Sequence, residues 1–105
     1  MKRTREYLLV INQIVYAEVS VAYTSIEKLD VAFPRDGYSG ETLPWQAGFL
    51  AGKAFLSYRR RGGTKPAPMP DFYIGAHTLV AGHRLLTRDA KRYRTYFPRL
   101  QLISP

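Results

Sequence analysis

Pro70-Asp71-Phe72-Tyr73-Ile74-Gly75-Ala76-His77-Thr78-Leu79-Val80-Ala81-Gly82-His83-Arg84-Leu85-Leu86-Thr87-Arg88-Asp89 is the stretch whose reading decides the fold. A helix over 70–81 ends at Gly82, a natural residue just past a helix C-terminus. A strand over 84–87 follows, so Asp71 opens the helix and Asp89 closes the strand. In an α/β fold, the amino ends of helices and the carboxyl ends of strands meet at one edge of the sheet, where ligands bind. Two acids gathered at that edge of a strongly basic chain point to a divalent cation working on a phosphate backbone.

Elements on either side of this stretch fit the same class. Upstream, Tyr7-Leu8-Leu9-Val10-Ile11 is a continuous apolar run, expected of a strand buried on both faces. Asn12 is placed to cap a helix over 13–23. Thr24-Ser25-Ile26-Glu27 contains a Thr-x-x-Glu capping box and opens a short helix that ends before Pro34. Asp36-Gly37 and Ser39-Gly40 mark a turn-rich loop, and Glu41-Thr42-Leu43 reads as a short edge strand. Pro44 suits the first position of a helix reaching about Arg60, stopped by Gly62-Gly63. Its Ala47, Gly48, Ala51, Gly52 and Ala54 allow close packing of another element. Lys65 to Pro70 is a stiff proline-rich loop. Downstream, residues 89–97 form a basic aromatic loop or short helix, and 100–103 a last strand. Strands alternating with helices call for a three-layer α/β/α arrangement around a parallel sheet.

With 105 residues, the chain is expected to be one domain over 1–105. It has no cysteine, which excludes disulfides and thiolate metal sites and suits the cytoplasm. The start Met1-Lys2-Arg3-Thr4-Arg5 is basic, but the apolar run behind it is too short for a signal peptide. No segment has the length of a membrane span, so no membrane partner is expected. The net charge is +8, and residues 59–105 carry all of it, with Asp71 and Asp89 as their only acids. A basic half of this kind is the usual footprint of a polyanion.

Glu18 is the third anchor. Its helical neighbours Ile14, Val15, Val21 and Ala22 are all apolar, so its carboxylate is expected to project from a core-facing stripe. A buried carboxylate must be paired, neutral or metal-bound. A structural ion pair with an arginine satisfies that requirement equally well. Asp71 gains from the helix dipole and Asp89 can cap the next segment, so each acid has a structural reading of its own. Jointly placed, three carboxylates need a cation to stay ionised, and Mg²⁺ or Mn²⁺ fits oxygen ligands. The Thr87 hydroxyl can bond a carboxylate or a metal-bound water, or serve only as a β-branched strand residue. His77, mid-helix, reads as a packed core histidine, and His83 sits in a turn.

Basic residues fall into two groups. Arg59, Arg60, Arg61 and Lys65 surround the loop leading to Asp71. Arg88, Lys91, Arg92, Arg94 and Arg99 surround Asp89, interleaved with Tyr93, Tyr96 and Phe97. Arginines bind phosphate in bidentate fashion, and aromatics stack on unpaired bases or pack a loop onto a sheet. Packing is the expected role of Tyr96 and Phe97, next to Pro98.

Four words of the sequence together resemble a PIN domain, specifically the VapC-type toxins of bacterial toxin–antitoxin pairs. They are Val10-Ile11-Asn12-Gln13-Ile14-Val15-Tyr16-Ala17-Glu18, Pro70-Asp71-Phe72-Tyr73-Ile74-Gly75-Ala76-His77, Leu85-Leu86-Thr87-Arg88-Asp89 and Tyr93-Arg94-Thr95-Tyr96-Phe97-Pro98. The resemblance implies a Mg²⁺- or Mn²⁺-dependent endoribonuclease silenced by a cognate antitoxin. Glu18, Asp71 and Asp89 match three of the family's four acidic positions, and Thr87 its hydroxyl position. Arg59, Arg60, Arg61, Lys65, Arg88, Lys91 and Arg92 are the residues expected to hold the RNA backbone. Such domains open with a strand bearing the first ligand aspartate, then a helix. Both are missing ahead of Leu8, which would leave the sheet without its central strand; either its neighbours re-pair directly, a second chain fills the gap in a homodimer or higher assembly, or the protein begins upstream of Met1. A catalytically degenerate module that binds RNA or antitoxin without turnover is the alternative.

Overall fold

The computed structural model describes residues 8–103. Tyr7 and the basic start at 1–5 lie outside them. The chain divides into two compact units, meeting in sequence at Thr42 and Leu43.

In the first unit, β1 (Val10–Ile11) pairs in parallel with β2 (Ser39–Gly40), Val10 opposite Ser39 and Ile11 opposite Gly40. The Ser39 N–H donates to Leu9 O and the Glu41 N–H to Ile11 O, both at 2.8 Å. The second strand therefore lies at 39–40 rather than 41–43. Strand pairing uses main-chain groups alone, so turn-type residues pair where the chain lies alongside a partner. Nor is the first strand buried on both faces: Ile11 is buried, whereas Leu8 is 79% and Leu9 44% exposed. Among the described residues β2 is its single neighbouring strand, which makes it an edge there.

Helix α1 (Gln13–Ser20) opens on Asn12, whose Oδ1 accepts from the Val15 N–H at 3.0 Å. It stops short of 23. Ser20 Oγ donates back to Tyr16 O at 2.7 Å, a bond that competes with helix continuation. Helix α2 (Ile26–Ala32) is capped by Ser25, which accepts from the Lys28 N–H, so the cap lies one residue beyond Thr24. Glu27 still falls in the first turn, where the helix dipole favours it. Leu29 is buried, and Phe33 stacks on Tyr38 with centroids 4.5 Å apart.

The second unit begins with α3 (Trp45–Arg60) and α4 (Pro70–Ala81). Gly82 follows α4 with φ +73°, the left-handed conformation that glycine adopts freely. Strand β3 (Arg84–Leu86) pairs in parallel with β4 (Gln101–Ile103), and α5 (Ala90–Tyr96) lies between them in sequence. The core joins Ala47, Ala51 and Ala54 of α3 to Phe72 and Ala76 of α4, with Tyr93, Phe97 and Leu100. Small side chains on α3 bring the two helices close enough for Phe72 to be fully enclosed. The chain is thus a mixed helix–strand fold with small parallel sheets.

Gly75 is required where it stands. A Cβ there would lie 2.6 Å from Phe97 Cε2 and 3.2 Å from Tyr93 Cδ1, both rings being buried. Gly75→Ala gains up to about 1 kcal/mol of helix propensity, but overpacking costs about 1–3 kcal/mol and wins. A lowered urea midpoint at unchanged slope is the expected result; an equal or higher midpoint would show that the rings yield freely.

Candidate functional site

Three local devices position the acids of the second unit. Asp71 sits in the first turn of α4, which starts at Pro70. Thr87 follows β3, its N–H donating to Ile103 O at 3.0 Å, so it continues the ladder of the sheet. Its hydroxyl then accepts from the Asp89 N–H at 3.0 Å and closes the turn that presents Asp89. Asp89 is the N-cap of α5, with Oδ1 accepting from the Arg92 N–H at 3.4 Å.

These devices bring Asp71 and Asp89 onto one guanidinium. Arg92 Nη1 donates to Asp71 Oδ2 at 2.9 Å, and Arg92 Nε lies 3.5 Å from Asp89 Oδ2. The side chains are 32% exposed for Asp71, 61% for Asp89 and 44% for Arg92, so the cluster is hydrated and screened. Two carboxylates this close repel, and Arg92 offsets the repulsion. The sequence marks Arg92 only as a phosphate-binding residue, and its role as a partner of the acids appears in the structure. The Asp89–Arg92 half is visible as an i,i+3 pair. The Asp71 half is not, because it depends on where α4 meets α5.

Glu18 belongs to the first unit, and its placement corrects the sequence expectation. It is exposed, and no residue of α1 is buried. Val21 beyond the helix is 87% exposed, so the apolar stripe around Glu18 is not a core-facing one. No ion pair involves Glu18 among the described residues. The same residues contain no cluster of three or more His, Cys, Asp or Glu side chains able to hold a metal.

The basic residues are distributed around α3 and α5. Arg59 donates to Lys65 O at 2.9 Å and lies over the Phe55 ring. Arg61 reaches Ser57 Oγ at 3.4 Å and lies over Tyr96. Arg60, Lys65, Arg88 and Lys91 are exposed. The loop between α3 and α4 is fixed by Tyr58, whose phenol oxygen accepts the N–H groups of Thr64 and Lys65 at 3.1 Å each. The Lys65 bond, with that of Thr64, holds the Tyr58 hydroxyl below its ordinary pKa. Gly62 turns the chain with φ +95°, and a Cβ on Gly63 would overlap the Tyr58 ring.

The aromatics around Asp89 are packing residues. Tyr93 and Phe97 are buried, and Tyr96 meets Phe72 edge-on with centroids 5.1 Å apart. His77 is buried as expected of a core histidine, 6.5 Å ring to ring from His83.

No known family's sequence model matches the chain, and no curated protein matches it significantly. Solved structures do. VapBC2 from Rickettsia felis, solved bound to a DNA fragment from their promoter, aligns with TM-score 0.72 and 18% identity over 97% of this chain and 78% of that one. VapBC-1 from nontypeable Haemophilus influenzae aligns with TM-score 0.71 and 20% identity over 92% of this chain and 74% of that one. At these identities the likeness is one of fold. Among the described residues, no helix is long and apolar enough to cross a membrane.

Proposed function

We propose that this chain is a PIN-like ribonuclease of the VapC type, a cytoplasmic toxin of a toxin–antitoxin pair with three-layer α/β/α architecture. One observation carries the reading. Asp71 and Asp89, far apart in sequence, converge beside the carboxyl end of β3 in a unit whose other charged side chains are all basic. The fold likeness to VapBC structures supports it, as does the match of Glu18, Asp71, Asp89 and Thr87 to the family's motif.

The donor set fits a hydrated Mg²⁺ or Mn²⁺. Magnesium is commonly held by one or two carboxylates, several waters and the substrate phosphate, and Asp71 and Asp89 are hydrated carboxylates at one place. These two would hold the ion. Once bound, such an ion would supply an acidified water for attack on phosphorus. The chain's own residues do the rest. Thr87 fixes the backbone that presents Asp89. Arg59, Arg60, Arg61, Lys65, Arg88 and Lys91 neutralise the RNA backbone as it crosses the basic face. A cognate antitoxin is the partner that keeps such an activity silent.

A second reading has its own observation. Arg92 already pairs with both acids and offsets one of their two charges, as it would in a module that binds RNA without cutting it. Incubating the full chain with single-stranded RNA, with Mg²⁺ or Mn²⁺ and then with EDTA, separates the two. Metal-dependent scission supports the nuclease; salt-sensitive binding without scission selects the module.

Either reading places RNA on the basic face. Arg60→Ala, Arg88→Ala and Lys91→Ala combined remove three exposed charges. The slope of log affinity against log salt should then fall by about 2, at about 0.7 per phosphate contact on a single strand. An unchanged slope would place the RNA elsewhere.

A further inference from the structure

Arg92 is used differently from the arginines at the end of α3. Arg59 donates to Lys65 O and lies over the Phe55 ring, and Arg61 reaches Ser57 Oγ and lies over Tyr96. Their partners are all neutral. Arg92 instead engages two acids through different nitrogens, Nη1 donating to Asp71 Oδ2 at 2.9 Å and Nε lying 3.5 Å from Asp89 Oδ2. One guanidinium thus ties the first turn of α4 to the N-cap of α5.

The three side chains are not equally free to move. Asp71 is a short side chain on a 12-residue helix. Asp89 is held twice, its N–H by the Thr87 hydroxyl and its Oδ1 by the Arg92 N–H. The second of these bonds comes from the main chain, so it survives any movement of the Arg92 side chain. The guanidinium stands on a long stem, is 44% exposed and is retained by charge pairs that water screens. Of the three groups, it is the one that yields.

We infer, on the reading of Asp71 and Asp89 as metal ligands, that Arg92 is a resident counter-cation which a divalent ion must displace, and that it thereby sets the metal affinity of the site. A Mg²⁺ ion takes carboxylate oxygens at about 2.0–2.1 Å. Holding the same two carboxylates would bring it against the guanidinium, and like charges at such range repel. The displaced group has somewhere to go. Arg88 and Lys91 beside it in sequence are exposed, so a swing away from the acids carries Arg92 to the basic face. There a backbone phosphate can take it in bidentate fashion. The same side chain therefore serves the acids when no ion is bound and the polyanion when one is.

Titration of the full chain with Mn²⁺, followed by the electron paramagnetic resonance of the free ion, tests this without recourse to cleavage. Arg92→Gln keeps the main-chain N–H that Asp89 caps and has nearly the same helix propensity. It should bind Mn²⁺ about tenfold tighter than the wild type, the effect of removing one unit charge about 5 Å from a divalent ion in water. Its far-UV circular dichroism should be unchanged. Arg92→Lys keeps the charge without the fork and should stay within about threefold of the wild type. In a Mg²⁺ titration of the wild-type chain, the Arg92 Nε–H resonance, identified by its loss in Arg92→Lys, should shift until the site is filled. Binding by Arg92→Gln no tighter than by the wild type, or an Nε–H resonance indifferent to saturating Mg²⁺, overturns the inference. If Asp71→Asn still abolishes Mn²⁺ binding in that case, the two acids remain metal ligands. Absence of Mn²⁺ binding in both wild type and Arg92→Gln, or binding that Asp71→Asn leaves intact, overturns the metal reading and the role of Arg92 together.

Discussion

Asp71→Asn is expected to abolish Mg²⁺-dependent RNA cleavage while leaving the unfolding curve almost unchanged. The substitution keeps the shape of the side chain and removes its charge. Loss of groups that merely orient a metal ligand lowers affinity or activity about 10–100-fold, and loss of a ligand should exceed that. The structural effect is small. The bond to Arg92 is partly exposed, and pairs of that kind contribute about 0–1 kcal/mol. A cleavage assay across a Mg²⁺ titration, beside a urea melt, distinguishes chemistry from folding. Cleavage within threefold of wild type would remove Asp71 from the chemistry and the nuclease reading with it.

Phe72→Ala is expected to bring the largest loss of stability of any single substitution. Phe72 is 1% exposed and is met by Tyr58 and Tyr96, with ring centroids at 5.8 and 5.1 Å. Phe→Ala in a packed core costs about 3–5 kcal/mol, from lost burial and from the cavity left behind. Domains of this size are stable by only about 5–15 kcal/mol, so much of the fold's margin disappears. Chemical denaturation should show a strongly reduced midpoint, with Phe72→Leu between the two. A shift equivalent to less than about 1 kcal/mol would mean that Phe72 is not the centre of the core.

The second unit is more legible in the sequence than the first, and the difference has a physical origin. The helix over 70–81, its stop at Gly82 and the strand after it follow from local chemistry: one residue able to take positive φ and a short apolar run beyond it. Asp89 as a cap is equally local. Glu18 departs from its expected position because apolar neighbours at i±3 and i±4 show that a stripe exists, not that anything covers it. Ser39–Gly40 forms a strand where a turn is expected for a related reason: main-chain pairing depends on where the chain returns beside β1, which side-chain preference does not encode. Arg92 illustrates the same limit at the site, since its bond to Asp71 joins two helices that only tertiary packing brings together.

The grip of Tyr58 on Thr64 and Lys65 has a thermodynamic consequence for any polyanion that lands on this surface. A free basic loop must surrender its conformational freedom at the moment of capture, and that loss is subtracted from affinity. Here the main chain at Thr64 and Lys65 has already surrendered it during folding, so the loop that follows Arg59, Arg60 and Arg61 meets a phosphate as a stencil rather than a net.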